Sequence, residues 1–229
     1  MLVTDDPGMR SETWTVVYDE EFAKMPLYRK FYWVRYHPFR YVSSDVCVRI
    51  DGSIQLKGSL DRLVGDFLAS GKDIGLLAHP CISTFPTELR VWQLRRGYPA
   101  EAVNRFLRFL VKTRYDMAYR GYFQLTASVK KRTKFTDDVC NLTYDLMMAN
   151  SDDRLPERLD QTWFAYVMNT FFSDSKVFLI HPQATESYAM QRYEHRTTVP
   201  ASIAGRYDVN IPYKAWCFNR LQECYFLKE

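Results

Sequence analysis

The stretch "VCVRIDGSIQL", residues 46–56, places a carboxylate at the exit of an apolar strand. Within residues 46–50 the apolar side chains alternate, which predicts a β-strand with one apolar face. Asp51, Gly52 and Ser53 follow at once, and Asp-Gly is a strong hairpin-turn signal between apolar runs. A carboxylate beside a glycine can also meet Mg²⁺ or Mn²⁺, which prefer oxygen ligands and substrate phosphates. From these residues alone the turn is the stronger interpretation, and a metal site is the alternative.

The composition is that of a globular protein, with 47% hydrophobic and 25% charged residues. At 229 residues the chain is most simply one domain, so we expect residues 1–229 to share one core. The formal net charge of +4 is too small to indicate a nucleic-acid partner by itself, and it suits anionic small ligands equally well.

The cysteines and the chain start predict a cytoplasmic protein. The 5 cysteines are widely spaced and form no Cys-x-x-Cys pair, which argues for reduced thiols instead of a disulfide framework or a zinc cage. No apolar stretch approaches the roughly 20 residues of a membrane span. The N-terminal sequence lacks the basic and apolar regions of a signal peptide.

Strand-like and helix-like segments alternate along the chain. Strands are predicted at residues 14–18, 46–50, 74–78, 122–128 and 176–180. Helices are predicted at residues 21–36 with a break near Pro26, 59–70 with Ser59 as N-cap, 86–97, 99–115, a segment that Thr136 caps, and 157–171. The basic run "VKKRTK" (129–134) is interpreted as a solvated loop rather than a nucleic-acid contact. This order predicts an α/β fold with a mainly parallel central sheet and helices on both faces.

Two polar residues are singled out because they directly follow predicted strands, at the end where α/β sheets bind ligands. They are Asp51 and His79, although a lone histidine at a strand end more often completes a local hydrogen-bond network. Asp160, beside Gln161 at a helix start, is either a carboxylate aimed at a substrate hydroxyl or an ordinary first-turn acid.

Two histidines compete as a late metal ligand, and their spacing does not choose between them. His181 follows a predicted strand, and His195 lies in "QRYEHRTT". The sequence contains no P-loop, no dinucleotide-binding glycine fingerprint and no Gly-x-Ser-x-Gly elbow.

The order of these motifs resembles the glycosyltransferase-like domain-of-unknown-function family 616, found in bacterial polysaccharide loci and in plant cell-wall and mucilage-related proteins. The similarity covers residues 3–196 and includes a "TDD"-like element, a "siWiDgxi"-like strand, an "HP" element followed by Glu, and an "RDQlsFxYV"-like helix. Arg49 stands where the strand motif usually has Trp, and Leu159 where the helix motif usually has Arg. The matching positions are Thr4, Asp5, Asp6, Asp51, Gly52, His79, Pro80, Glu88, Asp160, Gln161, Phe164, Tyr166 and Val167.

The resemblance implies a GT-A-like fold that binds a nucleotide-sugar donor. The family normally has a first strand and a glycine-containing loop before the "TDD" element, and this chain starts almost at that element, so the expectation includes a fold that lacks the first strand. Asp51 would hold Mn²⁺ or Mg²⁺ against the donor diphosphate, with Ser53 where a second acid often lies. "YEHR" resembles a terminal His-Arg of the family and favours His195 over His181 as a further metal ligand.

The remaining roles follow from the same resemblance. The expected donor-binding residues are Thr4, Asp5, Asp6, Arg29, Lys30, Arg35, Gly52 and Ser53. The expected substrate-binding residues are His79, Glu88 and Gln161, with Asp160 facing the transferred sugar or the acceptor.

The predicted function is metal-assisted sugar transfer to a glycan or small acceptor, without a nucleic-acid partner or a membrane span. A catalytically degenerate binding module is the first alternative, because of the departures at Arg49, Ser53 and Leu159. A metal-dependent hydrolase or nucleic-acid enzyme is the second, suggested by scattered acids and the basic run.

Overall fold

Alternating strands and helices run through the part of the chain that the structure describes. The structure is a computed structural model that describes residues 1–51, 54–79, 84, 85, 89, 99–119, 121–149, 160–181 and 184–192. The strands are β1 (Leu2–Thr4), β2 (Val16–Tyr18), β3 (Val46–Ile50), β4 (Ile54–Leu56), β5 (Ile74–Ala78), β6 (Phe123–Lys131), β7 (Val177–Ile180) and β8 (Met190–Arg192). The helices are α1 (Glu20–Lys24), α2 (Leu27–Tyr36), α3 (Asp61–Ala69), α4 (Ala100–Lys112), α5 (Lys134–Ala149) and α6 (Asp160–Phe171). None of these helices is both long and apolar enough to cross a membrane.

The central sheet is mixed, in the order β3-β6-β5-β7. Strand β6 runs antiparallel to both β3 and β5, and β5 runs parallel to β7. The α/β class is therefore confirmed, but the prediction of a mainly parallel sheet is wrong for the described strands. An apolar run shows that a strand is buried on both faces, whereas its direction depends on the path of the connections.

Helices cover both faces of this sheet, as predicted. Successive residues of β5 point to opposite faces, so Leu76 belongs to one apolar cluster and Leu77 to another. The larger cluster contains side chains from α2, α4, α5 and α6, with Trp163 among its most buried members. The smaller cluster contains Leu63 and Phe67 of α3. The core is thus two layers of helices on one sheet.

The predicted break at Pro26 is confirmed, because α1 ends at Lys24 and α2 begins at Leu27. Strands β3 and β5 have the predicted bounds. The predicted helix at 86–97 lies outside the described residues except for Leu89. Strands β1, β4 and β8 have only 3 residues each, too few to show a period of two in the sequence.

Both predicted N-caps are displaced. Leu60, not Ser59, precedes α3, although the Ser59 hydroxyl accepts a hydrogen bond from the Asp61 amide at 3.1 Å. Helix α5 begins two residues before Thr136, and the Thr133 hydroxyl accepts from the Thr136 amide at 3.2 Å. The sequence shows which hydroxyls are near a helix start, whereas local backbone geometry decides which residue is the N-cap and which hydroxyl meets a free amide.

The basic run is not a solvated loop over its first residues. Strand β6 extends to Lys131, and the residue Lys130 is only 3% exposed. Its Nζ donates a hydrogen bond of 2.6 Å to the main-chain oxygen of Arg35 in α2. The lysine therefore fixes the end of α2 to the sheet.

Residues 46–50 and 54–56 belong to two different sheets and do not form a hairpin. The Ile54 amide donates to the Asp51 main-chain oxygen at 2.9 Å. Strand β4 pairs with β8 instead of returning along β3. Asp51 consequently lies where the chain leaves the central sheet.

We predict that Phe67→Ala in α3 lowers the free energy of unfolding by about 3–5 kcal/mol, because it leaves a cavity in the core. Phe67 is 0% exposed, and its ring lies 6.1 Å from that of Phe178. The neighbouring Leu68 is 49% exposed, so Leu68→Ala should cost about 1 kcal/mol or less. Urea denaturation of both variants checks the difference, and equal losses would contradict the assigned helix face.

We predict that His37 makes the protein less stable as the pH falls. Its imidazole stacks on Trp33 with ring centroids 3.9 Å apart, and burial lowers its pKa below the ordinary value of 6.5. The unfolded chain therefore binds the proton more readily, and the free energy of unfolding should rise with pH from the folded-state pKa up to about 6.5.

Urea denaturation across this pH range measures the effect. In His37→Gln the slope of stability against pH should be smaller than in the unmodified protein. In His181→Gln, which changes an exposed histidine, the slope should be retained. An unchanged slope in His37→Gln would show that other groups cause the pH dependence.

Candidate functional site

The guanidinium of Arg35 connects Asp51 and Asp160. Arg35 Nη2 lies 3.1 Å from Asp51 Oδ1, and Arg35 Nη1 is in close contact with Asp160 Oδ2. Arg35 belongs to the last turn of α2, Asp51 directly follows β3, and Asp160 is the first residue of α6. Their side chains are 6%, 19% and 11% exposed, so this ion cluster is largely shielded from solvent. The structure thus brings together three residues that the sequence singled out separately.

Arg49 adds a second guanidinium to the cluster. Its Nη2 is in close contact with Asp51 Oδ1, and its Nη1 donates a hydrogen bond of 2.9 Å to the main-chain oxygen of Leu125. In the sequence, Arg49 stood out only as a departure from the motif that it resembles. Its position two residues before Asp51, on the same face of an extended chain, was the signal that could have identified it.

Two hydrogen bonds to main-chain oxygens hold the cluster in place. The Tyr36 hydroxyl donates to the main-chain oxygen of Asp160 at 3.4 Å, and Lys130 Nζ donates to that of Arg35 at 2.6 Å. Burial raises the pKa of Tyr36 and lowers the pKa of Lys130, since each charged form would lose its hydration. Neither residue was predicted, because their partners are distant in sequence.

Both guanidiniums of the cluster lie near the ring of Phe31. The distances from the guanidinium carbon to the ring centroid are 4.6 Å for Arg35 and 5.9 Å for Arg49. The aromatic face offers a partly desolvated cation a favourable electrostatic surface. With two carboxylates and two guanidiniums, the cluster has a formal charge of zero.

A cavity of about 1180 Å³ begins at this cluster and extends along β3. Asp51 and Arg49 line it, and most of its remaining lining is apolar, with side chains of β1, α2 and β3 among it. Arg35 forms an ion pair with Asp51 at the cavity wall, and Asp160 lies behind Arg35 as its second partner. A concave, mainly apolar space with a few charged groups is the usual form of a small-molecule site.

Lys30 lines the same cavity and pairs with Asp5. Lys30 Nζ lies 2.6 Å from Asp5 Oδ2, and this hydrogen bond is the main reason that the pKa of Asp5 is lowered. The Thr4 hydroxyl accepts from the Asp6 amide at 3.1 Å, and Asp6 Oδ1 accepts from the Gly8 amide at 2.7 Å. Thr4 and Asp6 therefore shape the turn that presents Asp5 to Lys30.

A second polar group connects His79 with Gln161. The Tyr122 hydroxyl donates to Gln161 Oε1 at 3.2 Å, and the His79 and Tyr122 rings lie 5.7 Å apart. Gln161 directly follows Asp160 in α6, so the chain connects this polar group to the ion cluster. Tyr122, which joins His79 to Gln161, was missed.

Other predicted site residues are not placed with the cluster. Arg29 is exposed on α2 and does not line the cavity, and His181 is exposed after β7. The predicted residues that lie outside the described part of the chain are Gly52, Ser53, Glu88 and His195.

The described residues around Asp51 do not fit a divalent metal as they stand. Over the described ranges, no group of three His, Cys, Asp or Glu side chains is placed to hold one. The Asp51 carboxylate is also occupied, because Arg35 and Arg49 both contact it. The Mn²⁺ or Mg²⁺ site with His195 stays a prediction from the sequence.

Comparison with known proteins provides one weak structural likeness. No protein-family profile matches the chain, and no curated protein matches it in sequence. The chain is similar to the crystal structure of mouse xyloside xylosyltransferase 1 in its apo form, with a TM-score of 0.43 and 9% identity. The match covers 74% of this chain and 66% of that chain, so just under two thirds of the xylosyltransferase length is spanned.

We predict that Arg35→Met destabilises the protein by about 3–5 kcal/mol, because it leaves two shielded carboxylates without their shared partner. Asp160→Asn removes one of those carboxylates, so the double variant should lose less than the sum of the single losses, with a coupling of about 0.5–3 kcal/mol. Urea denaturation of the four proteins measures this cycle.

The exposed Lys134–Asp138 pair of α5 supplies the matched control. Its atoms lie 2.7 Å apart, but its side chains are 86% and 42% exposed. The corresponding cycle with Lys134→Met and Asp138→Asn should give a coupling of about 0.5 kcal/mol or less. Additive losses at Arg35 and Asp160 would show that the bridge does not couple α2 to α6.

Proposed function

We propose that this chain is a glycosyltransferase of the family that its motifs resemble, with a GT-A-like fold. It would move a sugar from a nucleotide-sugar donor to a glycan or small-molecule acceptor. The supporting observation is the Arg35 bridge, which joins Asp51 and Asp160 at one end of a large cavity. These two acids come from separate motifs of the resemblance, and a transferase needs its donor and acceptor groups in one place.

On the donor side, we assign the nucleotide diphosphate to the cavity between Lys30 and Asp51. Both residues line it, and its volume of about 1180 Å³ is large enough for a nucleotide sugar. Lys30 is oriented by Asp5, which the resemblance places near the nucleotide. Cationic side chains near the diphosphate would offset the charge that develops as the bond between the sugar and the phosphate oxygen breaks.

On the acceptor side, we assign the base to Asp160. Its carboxylate form, the form that a general base needs, is the one that pairs with Arg35. An acceptor hydroxyl would attack the anomeric carbon and transfer its proton to Asp160, while the nucleoside diphosphate leaves. Gln161 and His79, joined through Tyr122, would then contact acceptor or sugar hydroxyls.

A screen of nucleotide-sugar donors, with and without Mn²⁺, tests this function through release of the nucleoside diphosphate. For an active donor, Asp160→Asn should lower turnover by about 10²- to 10⁴-fold, the usual contribution of a general base. The matched control is Asp174→Asn, which changes an exposed acid at the start of another helical turn and should retain turnover. Undiminished turnover in Asp160→Asn would remove the base assignment.

The second candidate is a catalytically degenerate binding module. The observation that favours it is the closed cluster, in which Arg35 and Arg49 satisfy the Asp51 carboxylate without any ligand. Calorimetry with a panel of nucleoside diphosphates separates the two candidates. Binding together with donor turnover supports the transferase, whereas no binding at millimolar ligand and no turnover supports the module.

A further inference from the structure

The structure assigns to Arg49 the position beside Asp51 at which the sequence predicts a divalent metal. We propose that the guanidinium of Arg49 is a built-in cation that prevents Asp51 from binding Mn²⁺ or Mg²⁺ and that faces the anionic part of the ligand instead. The second half of this inference rests on the proposed sugar transfer, whereas the first half is a property of the protein alone.

The geometry of β3 directs Arg49 onto Asp51. Side chains two residues apart in an extended chain lie on the same face, so the two groups meet at short range. The other end of the guanidinium is held by the Leu125 main-chain oxygen of β6, at 2.9 Å. Since β3 and β6 are paired strands, this second bond fixes the position of Arg49 independently of Asp51.

Arg35 contacts both oxygens of the same carboxylate, and it is closer to Oδ1, the oxygen that Arg49 also contacts. Its Nη2 lies 3.1 Å from Asp51 Oδ1 and 3.4 Å from Asp51 Oδ2. A bound Mg²⁺ would have to approach these oxygens to about 2.1 Å, in space that the guanidinium N–H groups now fill. Asp51 Oδ1 can therefore become a metal ligand only if Arg49 and Arg35 move away, and a metal at Oδ2 would lie directly beside the Arg35 guanidinium.

The formal charges of the cluster also disfavour a divalent cation at Asp51. The two carboxylates, Asp51 and Asp160, are matched by the two guanidiniums of Arg35 and Arg49. A divalent cation would add two positive charges next to two fixed ones, in a place where solvent screening is weak. Removal of Arg49 alone would leave a formal charge of −1, which is a more favourable setting for a metal.

Arg49 is suited to an anionic ligand because it lines the cavity. Within the described part of the chain, its hydrogen bonds to Asp51 and Leu125 use two N–H donors of a group that carries five. A planar guanidinium binds phosphate oxygens through parallel N–H donors, without the ordered water of a metal site.

Mn²⁺ titration followed by electron paramagnetic resonance tests the inference on the full chain. The proteins are the unmodified chain, Asp51→Asn, Arg49→Met, and the double variant, with thermal unfolding as the check of folding. We expect the unmodified chain and Asp51→Asn to bind Mn²⁺ alike. Arg49→Met should gain a site that is about tenfold or more tighter than that of the double variant, the scale of change at metal sites that lose a supporting group.

Two outcomes would overturn the inference. One is Mn²⁺ binding by the unmodified chain that Asp51→Asn weakens, since Asp51 would then be a metal ligand despite Arg49. The other is a folded Arg49→Met that gains no site. If Arg49→Met does not fold, the comparison of the unmodified chain with Asp51→Asn still decides whether Asp51 holds metal. Arg49→Lys, which retains a cation beside Asp51, should then gain no Mn²⁺ site.

The same titration keeps this inference distinct from the proposed function. Absence of donor turnover would remove the sugar-transfer proposal but would leave the Mn²⁺ result unchanged. Where a donor is turned over, the rate should be the same after chelation with EDTA, and Arg49→Met should weaken binding of the nucleoside diphosphate. Loss of turnover on chelation would contradict the role given to Arg49.

Discussion

The two-sided ion pair of Arg35 is the contact on which the arrangement of the site depends. It joins the end of α2, the exit of β3 and the start of α6, which approach one another only in the folded chain. Shielded charges are costly unless they are paired, so the three elements are held in one relative position by the need to keep Arg35 between its two acids. Lys130 and Tyr36 strengthen this by hydrogen bonding to the main chain on either side of the bridge.

The position of the cavity follows from this constraint. Helix α2 is fixed at its C-terminal end by Arg35. Nearer its N-terminus the helix carries Lys30, which forms an ion pair with Asp5. Between these two charged points the lining is mainly apolar, and it follows the side of β3 that has no partner strand among the described residues. An elongated ligand with an anionic portion matches this distribution, and a nucleotide sugar is one such ligand.

The accuracy of the sequence-based predictions depended on the length of each pattern. The strands at 46–50 and 74–78 were correct, because several residues in each carried the same signal, and the helix break was correct because the ring of Pro26 is incompatible with a helix interior. The direction of β6 and the choice of N-cap were wrong, because each depends on geometry that periodicity does not record. The basic run was misjudged at Lys130, since burial of a lysine requires a partner such as the Arg35 main-chain oxygen, and that partner lies in another helix.

The sequence alone determined the α/β class, the placement of Asp51 after a strand and the placement of Asp160 in a helical segment. These are local properties, set by side-chain periodicity and by turn chemistry within a few residues. Only the tertiary structure decided that Arg35 lies between the two acids, that Arg49 takes a place on Asp51, and that Tyr122 joins His79 to Gln161. The physical reason is that an ion pair or hydrogen bond is chosen by which groups the packed core brings within about 3 Å, and distance along the chain does not encode that choice.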